Sequence, residues 1–248
     1  MRNRPVSPSE HKNTQKKTRR RIIVLKVSGE AFGGGENPLD EKKISYLTSE
    51  IASVKGASIV IVPGGGNILR GESLKNRGYD KADSDYLGML STVYNSVCLK
   101  HALAKKGLRC RLFSALSIDK ITIPYNPEAA LTALRAGECV IVAGGTGNPF
   151  VTTDSAAALR ALELGADILI KATKVNGVYS DDPIINKKAV FFKTLSYEEA
   201  VRKNPRVCDR TALTMLSNSN IKFMVLNIFK PGNIKKAAGG KCPGTLIS

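Results

Sequence analysis

Residues 139–154 read CVIVAGGTGNPFVTTD, and the way this segment is built indicates a class of fold. Its first five residues are apolar or small, which is typical of a strand buried on both faces, and glycines end that strand. Two threonines and an aspartate then precede an alanine-rich segment, so they are predicted to begin a helix. A buried strand that leads through a glycine-rich loop into a helix is typical of parallel α/β sheets.

The same pattern occurs twice earlier in the chain. Residues 22–27 (IIVLKV) lead into Ser28 and Gly29, and residues 58–62 (SIVIV) lead into Pro63 and three glycines. Other strands are predicted at 108–113, 120–123, 167–171 and 222–228, and helices at 40–54, 83–106, 127–136, from after Thr153 to near Gly165, 196–203, 209–219 and 231–238. This alternation predicts an α/β fold with a central, mostly parallel sheet that helices cover on both faces.

Composition excludes several classes of protein. The 248 residues are 42% hydrophobic and 24% charged, which excludes collagen-like, disulfide-scaffold and wholly disordered chains. No apolar run approaches the ~18 residues of a membrane span, so no membrane contact is expected. The five cysteines lie far apart without a CxxC pair, which favours reduced thiols and a cytoplasmic location. Two histidines are too few for a histidine-rich metal site, and no metal-ligating residue is predicted.

The formal net charge of +17 is partly concentrated at the start of the chain. From Arg2 to Arg21 there are eight basic residues and one acidic residue. Residues 1–20 are therefore predicted to form a disordered basic extension, and residues 21–248 the folded domain. The extension can be a solvated tail or can contact nucleic acid, and both alternatives stay open. The remaining residues are also basic, which suits phosphate-bearing partners.

Three predicted strands end in glycine-rich loops, and this indicates an anion site. Backbone N–H groups of such loops can converge on a phosphate because no Cβ is in the way. Open α/β sheets bind ligands at the carboxyl ends of their strands, where these loops are predicted to lie. The patterns GxxxxGK[ST], GxGxxG after the first strand, HRD and DFG are absent, which disfavours P-loop enzymes, dinucleotide-binding proteins and protein kinases.

Two lysines interrupt apolar strands close to their carboxyl ends. A buried lysine without a partner is costly, so Lys26 is predicted to meet a phosphate at the mouth of its loop. Lys171 repeats the pattern. For both, the alternative is a lysine on an edge strand whose aliphatic stem packs on apolar surface while its ammonium group reaches water. Asp154 can hold both ammonium groups, and this role is compatible with capping a helix.

Other polar residues near the loops have two interpretations each. Arg70 can clamp a phosphate bidentately or can be an ordinary exposed arginine. Asp85 can serve the site or cap the helix at 83–106. Asp182 can receive a ribose hydroxyl or belong to a turn. His101 lies on the repeated apolar face of the helix at 83–106 and is interpreted as a packing residue.

These residues resemble the amino-acid-kinase superfamily. The similar stretches are KVSGE at 26–30, GGGN at 64–67 with Arg70 and Gly71, GTGNPFVTTD at 145–154 and KATKVNGVYSDDP at 171–183. Within that superfamily, Asp85, GML at 88–90 and TGNPFVTTD resemble the bacterial uridylate kinases. The resemblance covers about residues 21–248. It implies a three-layer αβα sandwich, a homohexamer, and ATP-dependent phosphorylation of UMP to UDP with Mg²⁺, in pyrimidine nucleotide (CTP and UTP) biosynthesis.

The resemblance also implies roles for individual residues. Those implied for catalysis are Lys26, Asp154 and Lys171. Those implied for ATP are Lys26, Val27, Ser28, Gly29, Gly66, Arg70, Thr173, Tyr179 and Asp182. Those implied for UMP are Gly65, Asp85, Thr146, Gly147, Asn148, Pro149, Phe150, Val151, Thr152 and Thr153. The chain departs from the pattern at Asn176, where an aspartate is expected. A sister kinase acting on an amino acid or carbamate, and a regulatory nucleic-acid-binding protein, are the alternative functions.

Overall fold

A nine-stranded sheet forms the centre of the computed structural model, which describes residues 19–69, 74, 77–203 and 209–248. The strands are β1 (Arg21–Val27), β2 (Ala57–Pro63), β3 (Cys110–Ser114), β4 (Ile123–Pro124), β5 (Cys139–Ala143), β6 (Ile168–Thr173), β7 (Val178–Tyr179), β8 (Phe191–Phe192), β9 (Thr194–Leu195), β10 (Lys222–Asn227) and β11 (Thr245–Ile247). Their order in the sheet is β4-β3-β5-β2-β1-β6-β10-β11-β9, while β7 and β8 form a separate antiparallel ribbon. Of the pairings in the large sheet, only that of β10 with β11 is antiparallel.

Helices cover both faces of this sheet. They are α1 (Glu41–Ala52), α2 (Lys81–Lys105), α3 (Pro127–Arg135), α4 (Thr153–Glu163), α5 (Tyr197–Lys203), α6 (Arg210–Ser217) and α7 (Asn233–Ala238). Successive residues of each central strand enter two different apolar cores: Val24 belongs to one and Leu25 to the other. Helices α3 to α6 contribute to the first core, and α1, α2 and α7 to the second. The predicted three-layer α/β architecture is therefore confirmed.

The chain changes direction across the sheet between β1 and β6. From β1 it moves to β2 on one side, and it later returns to place β6 on the other side of β1. Such a reversal leaves a crevice outside the carboxyl ends of the two strands, where α/β proteins commonly bind ligands. Lys26 and Lys171 are register partners at this place.

The structure corrects the sequence prediction for α2. The apolar residues that repeat along this helix, among them Leu90 and Tyr94, do not lie in the core, because Leu90 is 47% and Tyr94 is 54% exposed. His101 is exposed too, so its interpretation as a packing residue is wrong. Much of the buried side of α2 is polar, because it faces backbone groups of two glycine-rich loops. Asp85 does not cap the helix either, since the N-cap is Asp80, whose side chain accepts the N–H of Asp83.

Short elements near the end of the chain were not predicted. These are β7, β8, β9 and β11, each of two or three residues. The cysteines within the described ranges, Cys98, Cys110, Cys139 and Cys242, are free thiols as expected, and Cys208 lies outside those ranges. Residues 1–18 also lie outside them, so the predicted extension stays a prediction. In the described part of the chain, no helix is long and apolar enough to cross a membrane.

Candidate active site

Two lysines and one aspartate form a compact charged cluster at the carboxyl ends of β1 and β6, where the chain changes direction across the sheet. The Nζ atom of Lys26 lies 2.9 Å from Oδ1 of Asp154, and Nζ of Lys171 donates a hydrogen bond to Oδ2. Asp154 reaches both from the first turn of α4. Each of the three side chains is 12% exposed. The structure therefore brings together the three residues predicted for catalysis.

The charges of this cluster explain the ionisation of its carboxyl group. Burial alone would raise the pKa of Asp154, but the ammonium groups of Lys26 and Lys171 outweigh it and hold that pKa below its usual value. The carboxylate is thus ionised at neutral pH, which leaves two cations against one anion. That surplus positive charge suits a ligand that carries several negative charges.

The first glycine-rich loop begins at Ser28 after β1, the second at Gly64 after β2, and the third at Gly144 after β5. The first two loops pack against one another. The N–H of Gly64 donates to the carbonyl of Val27 at 2.7 Å. A Cβ on Gly29 would approach the backbone nitrogens of Gly66 and Asn67 to 2.7 and 2.6 Å, so no larger residue fits at position 29. A Cβ on Gly66, in contrast, would meet no atom of the described residues within 4 Å. A ligand can therefore approach the backbone at Gly66 without a clash with those residues.

Helix α2 holds two of the three loops in place. Asn67 and Asn95 exchange amide hydrogen bonds of 3.0 and 2.7 Å, and Asn95 also donates to the carbonyl of Gly64 at 2.7 Å. One turn earlier, the Thr92 hydroxyl accepts the N–H of Gly144 at 2.8 Å. Both Thr92 and Asn95 are buried. The polar residues on the buried side of α2 are thus anchors for the second and third loops.

The third loop carries a strained residue next to a predicted ligand contact. Phe150 has φ of +67°, a left-handed conformation that costs energy in residues other than glycine. Its N–H donates to Oδ2 of Asp85 at 2.7 Å, while Oδ1 of Asp85 is paired with Lys81. Asp85 is therefore at the rim of the third loop, where the resemblance implies UMP.

The remaining residues predicted for UMP belong to the same loop or to the start of α4. The N–H of Asn148 donates to the Thr146 hydroxyl at 3.2 Å. Thr152 is the N-cap of α4, and its side chain accepts the N–H of Ser155. The other predicted members are Gly147, Pro149, Val151 and Thr153, and Gly65 lies in the second loop against α2.

Sequence reasoning missed Asp209, which supports the start of α4. Its carboxylate accepts a hydrogen bond from the Ser155 hydroxyl at 2.7 Å and another from the Thr152 hydroxyl. Asp209 is itself the N-cap of α6, so it joins the amino ends of two helices. No motif in the sequence pairs it with residues more than fifty positions away.

Arg160 was missed as well. Its side chain is 5% exposed, and its Nη1 lies 2.8 Å from Oε2 of Glu163. Its Nη2 donates to the carbonyl of Gly145 at 3.1 Å, and its guanidinium lies 4.0 Å from the centre of the Tyr125 ring. One buried arginine thus connects the body of α4 to the third glycine-rich loop.

The residues predicted for the ATP nucleoside lie at the carboxyl end of β6 and in the segment that follows it. Thr173 ends β6, and Tyr179 packs edge-on against Phe191 at 5.2 Å between ring centres. Asp182 caps its own turn by accepting the N–H of Ile184 at 2.9 Å. Asn176 accepts a hydrogen bond from Asn227 at 3.2 Å, a role that an aspartate would fill equally.

Two residues predicted for the phosphates have different outcomes. The Ser28 hydroxyl is buried and has no hydrogen-bond partner within the described residues. A buried polar group in that position is costly unless a ligand satisfies it. Arg70 lies outside the described residues, so its predicted role stays untested.

Several known proteins are similar to this chain in sequence and fold. The model of the amino acid kinase family matches residues 21–227. The crystal structure of UMP kinase from Ureaplasma parvum is 34% identical, with a TM-score of 0.87, and the match covers 93% of this chain and 99% of that one. UMP kinase from Bacillus anthracis is 33% identical over 92% and 96%, with a TM-score of 0.87. Uridylate kinase from Archaeoglobus fulgidus is 30% identical over 91% and 99%, with a TM-score of 0.71.

Proposed function

Because this chain belongs to the amino acid kinase family, we propose that it transfers the γ-phosphoryl group of ATP to UMP and releases UDP and ADP. The observation that carries the proposal is the cluster of Lys26, Lys171 and Asp154 where the glycine-rich loops meet. Lys26 belongs to the residues predicted for ATP, and Asp154 directly follows Thr153, the last residue predicted for UMP. UDP made in this way would supply pyrimidine nucleotide (CTP and UTP) biosynthesis in the cytoplasm.

The chemistry requires little more than positioning and charge stabilisation. A phosphate oxygen of UMP is already ionised near neutral pH, so it attacks the γ-phosphorus without a strong general base. The bond from that phosphorus to the bridging oxygen breaks, and ADP leaves. Lys26 and Lys171 stabilise the negative charge on the moving group, while Asp154 orients the lysines and takes no proton.

We propose a separate set of residues for each nucleotide. On the ATP side we propose Val27, Ser28, Gly29, Gly66, Arg70, Thr173, Tyr179 and Asp182 in addition to Lys26. On the UMP side we propose Gly65, Asp85 and residues 146–153. The unpartnered Ser28 hydroxyl supports a phosphate on the ATP side, since it is buried and lacks a partner in the described residues. On the UMP side, ribose hydroxyls would replace the N–H of Phe150 on the Asp85 carboxylate.

Mg²⁺ is proposed to arrive with ATP. In the described ranges, no three His, Cys, Asp or Glu side chains group together as a metal site. The central carboxylate, Asp154, is already neutralised by two lysines. Mg²⁺ keeps several waters and favours substrate phosphates, so this donor set fits an ion carried by the triphosphate. When bound there, the ion neutralises charge on the phosphates.

A homohexamer is proposed as the working assembly. The exposed face of α2 that carries Tyr86, Leu90, Tyr94 and Val97 supports contacts between copies of the chain, because each of these apolar residues is at least 40% exposed. Their spacing of four, four and three positions places them on one stripe of the helix. An exposed apolar stripe of this kind is typical of a protein interface.

A coupled assay of ADP formation tests the function. The purified full chain is given ATP, Mg²⁺ and, in separate reactions, UMP, CMP, dTMP, acetylglutamate or aspartate. Turnover with UMP, and far less with the others, is expected. Turnover with an amino acid instead would retain the fold and the role of Lys26 but would contradict the UMP assignments. A folded protein that turns over none of them would contradict the proposed function.

A further inference from the structure

A second positively charged region lies at the opposite edge of the sheet from the lysine cluster. A cavity of about 760 Å³ opens there between α3, α4 and the amino ends of β1 and β2. Ile22 lines this cavity, four residues before Lys26 on the same strand, which separates the two places by roughly 13 Å. Among the residues that the structure describes, no aspartate or glutamate lines it. The cavity is therefore distinct from the proposed active site and is basic.

Three arginines surround the cavity, and two of them lack partners. In the described part of the chain, the side chains of Arg20 and Arg135 make no hydrogen bond or ion pair, and both are exposed. Arg19 donates to the carbonyl of Gly165 at 2.6 Å and pairs with Asp167 at 3.3 Å. Both contacts use the same guanidinium nitrogen, Nη2, so only part of its hydrogen-bonding capacity is used. A guanidinium offers five N–H donors and no acceptor. The free donors around this cavity are therefore suited to an anion.

Helix geometry explains only part of this charge. Arg135 is in the last turn of α3, where a cation normally complements the carbonyl end of a helix. Arg19 donates to the carbonyl of Gly165, which directly follows the C-cap of α4, so its position has a structural explanation as well. Arg20 precedes β1, and its side chain caps no helix among the described residues. Arg20 has no carboxylate partner among the described residues that would account for its place. A structural role in the monomer therefore does not account for the unpaired guanidinium of Arg20.

The floor of the cavity is apolar. Ile22, Leu134 and Leu164 form part of it and are each at most 7% exposed, and Leu131 completes it. An apolar floor below free guanidinium groups suits a ligand that combines phosphate with a flat, weakly polar body. An unpaired nucleobase with its phosphodiester backbone has this combination, because the face of the base can pack on aliphatic side chains while its phosphate pairs with a guanidinium group. A duplex hides its base faces. Arg20 is also one of the eight basic residues from Arg2 to Arg21.

We propose that this edge of the sheet binds single-stranded nucleic acid, with phosphates at Arg20 and Arg135 and a base on the apolar floor. Binding would depend little on sequence, because the guanidinium groups are assigned to phosphates and the floor below them is apolar. It would weaken with salt, because each phosphate contact releases a counterion. This activity is separate from the kinase reaction and needs none of its residues.

Fluorescence anisotropy tests the proposal with the full chain and labelled oligo(A) and oligo(dA) of about 20 nucleotides. The double variant Arg20→Glu/Arg135→Glu should weaken binding of both by at least about tenfold and lower the salt slope by about 1.4, as expected for two lost single-strand contacts. Its turnover of UMP should equal that of the wild type. The matched control Lys187→Glu/Lys188→Glu makes the same charge change in an exposed loop after β7 and should weaken binding much less.

Three results would overturn the proposal. One is that the wild type does not bind either oligonucleotide at low salt. Another is that the Arg20→Glu/Arg135→Glu variant binds as the wild type does, because the basic extension alone would then account for binding. The last is that both double variants weaken binding equally, because net charge rather than this edge would then decide it. An abasic oligomer of the same length should bind more weakly, and equal binding would contradict the base on the apolar floor.

Discussion

Lys26 and Lys171 face each other across the adjacent parallel strands β1 and β6, and both ammonium groups contact the carboxylate of Asp154. The register places one lysine on each of the two strands between which the chain changes direction across the sheet. The first turn of α4 supplies their shared counterion, Asp154. Two buried cations would repel each other without that carboxylate. The arrangement keeps both charges in place and leaves one positive charge in excess for a phosphoryl group.

Replacing Lys26 by alanine should remove most of the turnover. The ammonium group is proposed to stabilise the transferring phosphoryl group, so kcat should fall at least about 100-fold, or about 2.7 kcal/mol. Steady-state kinetics with ATP and UMP measure this, and circular dichroism checks that the variant is folded. Lys120→Ala, a change at an exposed loop lysine, serves as a control and should leave kcat unaltered. A folded Lys26→Ala enzyme with near-normal turnover would refute the role.

The lowered pKa of Asp154 predicts a pH dependence of stability. Burial alone would raise the pKa of this carboxyl, but Lys26 and Lys171 outweigh it, so the pKa is lower in the folded protein than in the unfolded chain. Its contribution to the free energy of unfolding is therefore complete above about pH 5 and is lost as pH falls through the folded pKa. The variant Asp154→Asn lacks this contribution.

Urea unfolding of both proteins between about pH 6 and pH 3 measures the effect. At pH 6 Asp154→Asn should be less stable by about 3–5 kcal/mol, because two buried ammonium groups lose their counterion. The difference between the two proteins should shrink toward pH 3. A difference that stays constant with pH would mean that the carboxylate is not preferentially ionised in the fold.

Thr92 on α2 allows an almost isosteric test of how the third loop is held. Thr92→Val removes the acceptor for the N–H of Gly144 and leaves that buried group unsatisfied, at a cost of about 1–3 kcal/mol. Thr92→Ser keeps the hydroxyl and should lose much less. Thermal unfolding compares the two, and the KM for UMP reports on the loop. Equal destabilisation by valine and serine would point to packing rather than to the hydrogen bond.

The exposed stripe of α2 makes a prediction about assembly. Tyr94 and Leu90 are 54% and 47% exposed in the monomer, and a contact between copies would bury them. Tyr94→Glu should shift the protein to a smaller species in analytical ultracentrifugation, because a charge would be desolvated in the interface. Lys42→Glu, at an exposed position of α1, should leave the assembly intact. A wild-type monomer would contradict the proposal outright.

The sequence predicted the layers of this fold better than the supports of its site. Apolar strands followed by glycine loops are periodic and local, so β1, β2 and β5 were placed within one residue at each end. The buried polar side of α2 was not recognised, because Thr92 and Asn95 resemble solvent-facing residues until the loops that they hold are known. Short strands such as β11 were missed because three residues carry almost no pattern of their own.

The last prediction concerns Arg160. It distinguishes a role in positioning the third loop for UMP from a role in the stability of the fold alone. Arg160→Lys keeps the charge but cannot reach Gly145 and Glu163 together or lie flat on Tyr125. The third loop should then be less well held, and the KM for UMP should rise about tenfold, or about 1.4 kcal/mol, while the KM for ATP stays unchanged.

Tyr125→Phe is the matched control for this change. It keeps the ring under the guanidinium and removes only the hydroxyl that donates to Glu163 at 2.8 Å. Its KM for UMP should change by less than about threefold. If Arg160→Lys lowers the melting temperature but leaves both KM values unchanged, Arg160 supports the fold alone. If it raises both KM values equally, the arginine acts on the site as a whole and not through the Gly145 carbonyl.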